Sequence, residues 1–193
     1  MEILAIYGSP RPNGNSDIML DHFLKGAEKE GAMVEKIYVR KLKIHGCIGC
    51  GHCDEKGYCF RKDDMEMLYR PLATYPRIVV SSPNYFYGLP GQLKCLIDRT
   101  QALFMAQRLP ADKDLPYRPL PLEGRKGFFL GVGATKGARL FDCCRLTIKY
   151  FFDAINVEYS GDICQRGVDD RGAIRNFPEV LQRCEELGRS FAL

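Results

Sequence analysis

Four cysteines fall within thirteen residues, Cys47-Ile-Gly-Cys50-Gly-His-Cys53-Asp-Glu-Lys-Gly-Tyr-Cys59, spaced C-x2-C-x2-C-x5-C. Thiolates this close in sequence can converge on one inorganic centre. A single zinc ion takes four ligands at tetrahedral corners and usually draws them from two C-x2-C knuckles held apart by a long spacer. A compact C-x2-C-x2-C run suits a cubane, whose separate irons each take one cysteine. Gly49, Gly51 and Gly57 let the backbone wrap closely and turn sharply. The run therefore reads first as a [4Fe-4S] site ligated by Cys47, Cys50, Cys53 and Cys59. Zinc on the same thiols, or a cluster-free set of thiols or a disulfide, are the alternatives. A ferredoxin run ends in C-x3-C-P and gives its fourth cysteine to a second cluster. Here the x5 spacing, with Phe60 rather than proline after Cys59, fits one self-contained cluster.

Three further stretches could bind a small molecule. Residues 9–16, Ser-Pro-Arg-Pro-Asn-Gly-Asn-Ser, offer Ser9, Arg11, Asn13, Asn15 and Ser16 just ahead of a helix. Free backbone N–H groups and the helix dipole at such a terminus favour a phosphate, and Arg11 adds charge-assisted hydrogen bonding. The stretch is neither a Walker A loop nor G-x-G-x-x-G, which disfavours ATP and the usual dinucleotide grip. Residues 83–91 place Tyr85, Phe86 and Tyr87 between Pro83 and Gly88, suited to a flat ring whose polar edge Asn84 could read. Residues 133–137 set Ala134 and Thr135 between Gly133 and Gly137, so their backbone can approach a ring closely. The plainer readings are a capped polar turn, aromatics packed in a core or subunit interface, and a simple strand-to-helix turn.

The elements that must position these stretches alternate. Glu2–Gly8 is a short apolar run ending in turn chemistry, a buried first strand. Met19, Leu20, Phe23, Leu24 and Ala27 follow helical spacing behind an Asn15 or Ser16 cap, and Gly31 ends that helix. Val34, Ile37 and Val39 mark a second strand of mixed character near an edge. Asp63 and Asp64 cap a short helix that Pro71 is expected to stop. Arg77–Ser82 is a third, buried strand, followed by one helix over about 92–107 and an irregular, proline-rich excursion over 108–125. Gly127–Val132 is a fourth strand. A helix carrying Leu140, Phe141, Cys144, Ile148, Phe151 and Phe152 follows. Asn156–Ser160 begins a fifth strand, and a last helix covers about 178–191. Strand–helix repetition with five strands predicts a single α/β domain over 1–193: a doubly wound parallel sheet with helices on both faces. Ligands of such sheets bind past the carboxyl ends of the strands, at the switch point. The three stretches 9–16, 83–91 and 133–137 all leave those ends and should meet. A phosphate at one end and a flat ring at the other describe FMN.

Composition narrows the classes. At 193 residues, 46% hydrophobic and 27% charged, the chain can bury a full core. It has no apolar run of about 18 residues and no secretory leader pattern, so a cytoplasmic location is expected. Nine cysteines are an odd number and lack the spread of a disulfide framework. The formal charge of +4 shrinks to near neutral once four thiolates on a cubane and a phosphate are counted, so neither nucleic acid nor a membrane is expected as a partner. Cys95, Cys143, Cys144, Cys164 and Cys184 read as buried structural thiols, mostly on helices. His22, His45 and His52 are too scattered for a histidine metal site, and His52 reads as a solvated side chain. Lys94 and Arg99 read as exposed helix charges or salt-bridge partners.

Together these residues resemble a family, the iron–sulfur flavoproteins of the NADPH-dependent FMN reductase superfamily, flavodoxin-like in fold. The resemblance rests on Gly8-Ser9-Pro10-Arg11 with Gly14-Asn15-Ser16, the four-cysteine run, Asp63-Asp64-Met65, Ser82-Pro83-Asn84-Tyr85 with Gly88, and Gly91-Gln92-Leu93-Lys94 through Asp98-Arg99. It implies FMN held by the 9–16 and 83–88 loops and a [4Fe-4S] cluster on the four cysteines. It also implies a homodimer or homotetramer that brings cluster and flavin together. The expected role is electron transfer from a ferredoxin-like donor through the cluster to FMN and on to an acceptor such as O2 or peroxide. A cluster-free NAD(P)H-dependent FMN or quinone reductase is the alternative, and a non-catalytic zinc- or thiol-based redox sensor a third reading.

Overall fold

The computed structural model describes residues 1–193. Five parallel strands, β1 (Glu2–Tyr7), β2 (Met33–Tyr38), β3 (Arg77–Pro83), β4 (Lys126–Gly133) and β5 (Glu158–Arg166), hydrogen-bond in the order β2-β1-β3-β4-β5. From β1 the chain winds first to β2 on one side and then to β3 on the other, so the switch point lies between β1 and β3. The doubly wound α/β architecture expected from the alternating pattern is present, and its strand order is the flavodoxin-like one that the family resemblance implies. The helices are α1 (Asn15–Lys29), α2 (His52–Lys56), α3 (Glu66–Thr74), α4 (Gly91–Arg99), α5 (Gln101–Arg108), α6 (Asp142–Asp153) and α7 (Pro178–Ala192).

Burial explains the strand sequences. β1, β3 and β4 are covered on both faces and read as nearly continuous buried runs. β2, at the edge, exposes Glu35 and Lys36. One core packs Leu4, Ile6, Ile78 and Val80 against α3, α4 and α6. The other packs Ile3, Ala5 and Val79 against α1 and α7. Helices α1 and α7 touch backbone to backbone. A Cβ on Gly26 would lie 1.9 Å from the Glu185 carbonyl oxygen, and one on Gly188 the same distance from that of Phe23.

Several boundaries differ from the sequence expectation. Pro71 does not stop α3, which runs on to Thr74. Only the Met67 carbonyl loses its helical donor, on an exposed residue, while Leu72 and Ala73 beyond the proline are buried. The single helix expected over 92–107 is two. Thr100 turns its amide and its hydroxyl back onto the Ile97 carbonyl at 3.0 and 2.6 Å, which tightens the turn and separates α4 from α5. Val39 lies in a 3-10 turn (Val39–Lys41) beyond β2. Strand β5 starts at Glu158, two residues later than expected, and continues past Ser160, because a bulge there lets the ladder resume from Gly161 to Arg166. Among the other cysteines only Cys144 and Cys184 are buried. Cys143 is exposed, Cys95 and Cys164 are half-buried, and Cys164 sits on β5.

Candidate flavin cleft and cysteine cavity

The loops after β1, β3 and β4 meet, as their position at the strand ends requires. Ser9, Arg11, Gly14, Asn15 and Ser16 line one cleft with Pro83, Asn84, Tyr85 and Ala134. The chain folds back on itself at Ser9, whose Oγ accepts the Arg11 amide and donates to the Arg11 carbonyl, both at 3.1 Å. Helix α1 then opens at Asn15 behind Gly14, without a side-chain cap. Its first amides have no intrahelical acceptor. Ser16 Oγ points into this region, buried and without a hydrogen-bond partner. An orphaned hydroxyl beside free amides at a helix N-terminus is a donor set for a phosphate.

Beneath the loop lies an acidic residue. Asp17 is 3% exposed and pairs with Arg40 at 3.0 Å. Its Oδ2 also accepts the Asn13 amide at 3.1 Å, and Arg40 donates to the Ser9 carbonyl at 3.3 Å. Burial pushes the Asp17 carboxyl upward, against the pull of Arg40. Arg40 thereby neutralises a carboxylate that would repel an anion, and ties the start of the cysteine loop to the back of the 9–16 loop.

Six sequence-predicted residues, Asn13, Phe86, Tyr87, Gly88, Thr135 and Gly137, stand away from the cleft lining. Asn13 has φ 54 and shapes the loop through its amide. Phe86 is wholly exposed at φ 50. Tyr87 follows at φ 60, and Tyr85 and Gly88 bond each other's backbone in both directions at 2.9 Å, closing a tight turn around two left-handed aromatic residues. Gly88 is thus a turn residue. Thr135 contributes its carbonyl to the Gly167 amide at 3.3 Å. Gly137 makes room for Tyr87, whose Oη lies 2.8 Å from where a Cβ would sit. Asn84 lines the cleft, but its amide is engaged elsewhere. Nδ2 donates to the Leu140 carbonyl at 2.7 Å and to Cys144 Sγ at 3.3 Å, and Oδ1 accepts the Tyr87 amide at 3.1 Å. It therefore braces the aromatic turn against α6 and does not offer its amide to a ring edge. Val168, Asp169 and Arg171, absent from the sequence reading, complete the lining.

The four cysteines line a second cavity of 410 Å³. It shares no residue with the flavin cleft, and is bounded by the last turn of α4 rather than by the loop leading into that helix. All four are free thiols, with Cys47 and Cys50 exposed. Their sulfurs are not drawn to metal-ligating distance. The donor set and space nonetheless fit a cubane. Gly49 and Gly51 adopt left-handed φ values of 64 and 75. The Gly49 amide donates to Cys47 Sγ at 3.5 Å. Burial, Asp54 and the neighbouring Cys47 and Cys59 push the Cys53 thiol up to about 11; bound cations would reverse that repulsion. His52 also lines this cavity. It is half-buried, edge-on to Tyr58 and Phe60 at 5.2 and 5.6 Å, with Nε2 buried and unpartnered, so it is not the solvated side chain expected.

The loop carrying the cysteines is clamped at both ends. Asp63 accepts from Arg99 Nη1 at 2.7 Å, from the His45 amide at 3.1 Å and from the Met65 amide at 3.1 Å. Arg99 also donates to the His45 and Arg61 carbonyls at 2.9 and 3.3 Å. Asp64 holds the Lys43 amide at 2.7 Å. Arg99 is buried, a salt-bridge partner but not an exposed charge, whereas Lys94 is exposed and pairs with Asp98.

Comparison with known proteins agrees with this architecture. The family model of the NADPH-dependent FMN reductases matches residues 1–157, and the chain belongs to that family. An iron-sulfur flavoprotein of Archaeoglobus fulgidus is 41% identical over 138 residues, covering 69% of this chain and 56% of that relative. The chain thus spans little more than half the length of that relative. A Bacillus subtilis protein provisionally named an NAD(P)H-dependent FMN-containing oxidoreductase is 26% identical over the full length of both chains. Among solved structures, an NAD(P)H:quinone oxidoreductase from Methanothermobacter marburgensis superimposes with a TM-score of 0.74 at 14% identity, over 100% of this chain and 96% of that one. That likeness is one of fold. No helix is long and apolar enough to cross a membrane.

Proposed function

We propose that the protein is an FMN- and [4Fe-4S]-containing flavoprotein oxidoreductase, which takes electrons from a ferredoxin-like one-electron donor and delivers them to an acceptor such as O2 or peroxide. The observation that carries this reading is the presence, in one chain, of four free cysteines around a single cavity and three strand-end loops around a separate cleft. When bound, a cubane exchanges one electron at a time and FMN one or two, so the pair joins one-electron donors to two-electron acceptors.

The chain's own residues have distinct tasks in this reading. Arg11, Ser16 and the first amides of α1 hold the phosphate, while Ser9 and Arg40 fix the loop that presents them. At 120 Å³ the cleft suits the phosphate and polyol end of FMN; ring systems usually occupy pockets of about 300 Å³ or more. The ring would need room beyond this cleft, and the half-exposed Tyr85 at its rim would be the nearest aromatic side chain to pack against it; a homo-oligomer is part of this proposal. Cys47, Cys50, Cys53 and Cys59 hold the cluster, and the Asp63–Arg99 clamp sets the loop's shape before metal arrives. No side chain acts as nucleophile.

Anaerobically purified protein tests this. About four irons, matching acid-labile sulfide and one FMN per chain are expected from one cubane and one phosphate loop. Stoichiometric zinc without sulfide would overturn the cluster. FMN without iron or sulfide would leave the cluster-free NAD(P)H-dependent reductase, and absence of flavin would overturn the flavoprotein reading altogether.

A further inference from the structure

We infer that Arg171, from the segment between β5 and α7, is a second phosphate-binding cation of the flavin cleft, and that Asn15 is the residue that latches its segment in place. The inference rests on the FMN reading above and adds to it a part of the chain far from the 9–16 loop. Arg171 lines the same cleft as Arg11 and Ser16. Its Nη2 donates to the Pro12 carbonyl at 2.7 Å, which brings the guanidinium into the phosphate loop itself. A guanidinium carries five N–H donors in a fixed fork, so this one bond leaves others for an anion.

The segment is held from the other side by Asn15. Its Nδ2 donates to the Asp170 carbonyl at 2.9 Å, and its Oδ1 accepts the Ile174 amide at 3.2 Å. Both halves of one side-chain amide are spent on residues that bracket Arg171. Asn15 therefore acts as a positioning residue, and its position at the start of α1 couples the helix terminus to the latch. Charge in the cleft favours an anion. Asp17 is neutralised by Arg40. That leaves Arg11 and Arg171 against the one carboxylate of Asp169, with the positive end of α1 added. A phosphomonoester carries nearly two negative charges at neutral pH, which one arginine and one helix end do not balance.

The experiment compares FMN and riboflavin binding to apo-protein, read by flavin fluorescence, for wild type, Arg171→Gln and Arg171→Ala. Glutamine keeps a donor for the Pro12 carbonyl and removes the charge. Both variants are expected to bind FMN about tenfold more weakly, the low end for a charge-assisted contact, with riboflavin affinity changed less than about twofold. Circular dichroism and riboflavin binding report separately on folding. Equal losses for both ligands, or no loss for FMN, would overturn the inference and leave Arg171 a loop staple. Wild type failing to prefer FMN over riboflavin would instead remove the underlying assignment of a phosphate to this cleft, so the two failures are distinct.

Discussion

The guanidinium of Arg99 meets the carboxylate of Asp63 at 2.7 Å with side chains only 2% and 3% exposed, and between them they hold the backbone on both sides of the four cysteines. A buried pair of this kind adds little net stability compared with an apolar replacement, but removing one partner strands the other. Arg99→Met should therefore destabilise the protein by about 3–5 kcal/mol and lower iron retention. Denaturant unfolding and iron analysis check this. Wild-type iron content in a folded Arg99→Met variant would show that the clamp does not shape the loop.

The same carboxylate gives a pH dependence. Burial would raise Asp63, but hydrogen bonds from Arg99, His45 and Met65 outweigh it and hold the carboxyl at about 2. Its unfolded value lies near about 4. The folded pKa is depressed, so this contribution is fully present above about pH 4 and is lost as the pH falls through about 2. Thermal melting followed by circular dichroism between these limits should show wild type losing stability more steeply than Asp63→Asn. Parallel curves would assign the acid sensitivity to other groups.

Ser16 allows the flavin cleft to be tested with two opposed signs. Its hydroxyl is buried and unpartnered without a ligand, which costs about 1–3 kcal/mol in the folded state. Ser16→Ala should leave the apo-protein as stable or more stable, while FMN binding weakens more than riboflavin binding. Arg11→Ala should show the same ligand preference. A Ser16→Ala protein that melts lower and binds both flavins as wild type does would mean the hydroxyl serves packing alone.

Phe86 and Tyr87 sit at φ 50 and 60 in a turn that glycine or asparagine would occupy without strain. Phe86 is wholly exposed and gives up no burial when replaced. Phe86→Gly should raise stability by up to about 1 kcal/mol. If the exposed aromatic ring serves flavin or partner binding, that gain comes with weaker FMN retention or a shift in oligomeric state. Differential melting and sedimentation read the two together, and lower stability in Phe86→Gly would show that the turn is not strained.

Much of this was readable from residue order. Apolar runs bounded by turn residues placed all five strands, and the mixed pattern of Glu35 and Lys36 placed β2 at an edge. The loops 9–16, 83–91 and 133–137 converge because parallel strands deliver their exits to one end of the sheet. What escaped was set by contacts distant in sequence. Arg171 reaches the cleft through a bond to Pro12, 159 residues away, and Arg99 is buried against Asp63 and the His45 and Arg61 carbonyls, 36 to 54 residues away. Asn84 was legible as a strand-end polar residue, but its partners are Leu140, in the turn before α6, and Cys144, in the first turn of that helix. Pro71 stays within a helix because buried Leu72 and Ala73 outweigh one lost hydrogen bond.

In the proposed electron path, Cys59 is the residue that separates electron entry from flavin binding. It is the cysteine of the run set apart by five residues, and it lines a cavity that shares no residue with the flavin cleft. Its amide donates to the Tyr117 hydroxyl at 3.2 Å, and Tyr117 stacks on Tyr69 at 4.5 Å, so the backbone here is anchored without metal. Cys59→Ser is close in shape and should leave the fold intact, because a chain of this length does not depend on a metal for its core. The cubane should become labile or lose an iron. The expected protein keeps FMN, loses rapid reduction by ferredoxin, and still accepts electrons at the flavin from dithionite. Stopped-flow reduction at the flavin band, with equal FMN loading in both proteins, reads this directly. A cluster-free Cys59→Ser variant that takes ferredoxin electrons as fast as wild type would remove the cluster from the entry path and leave the cluster-free reductase as the better account.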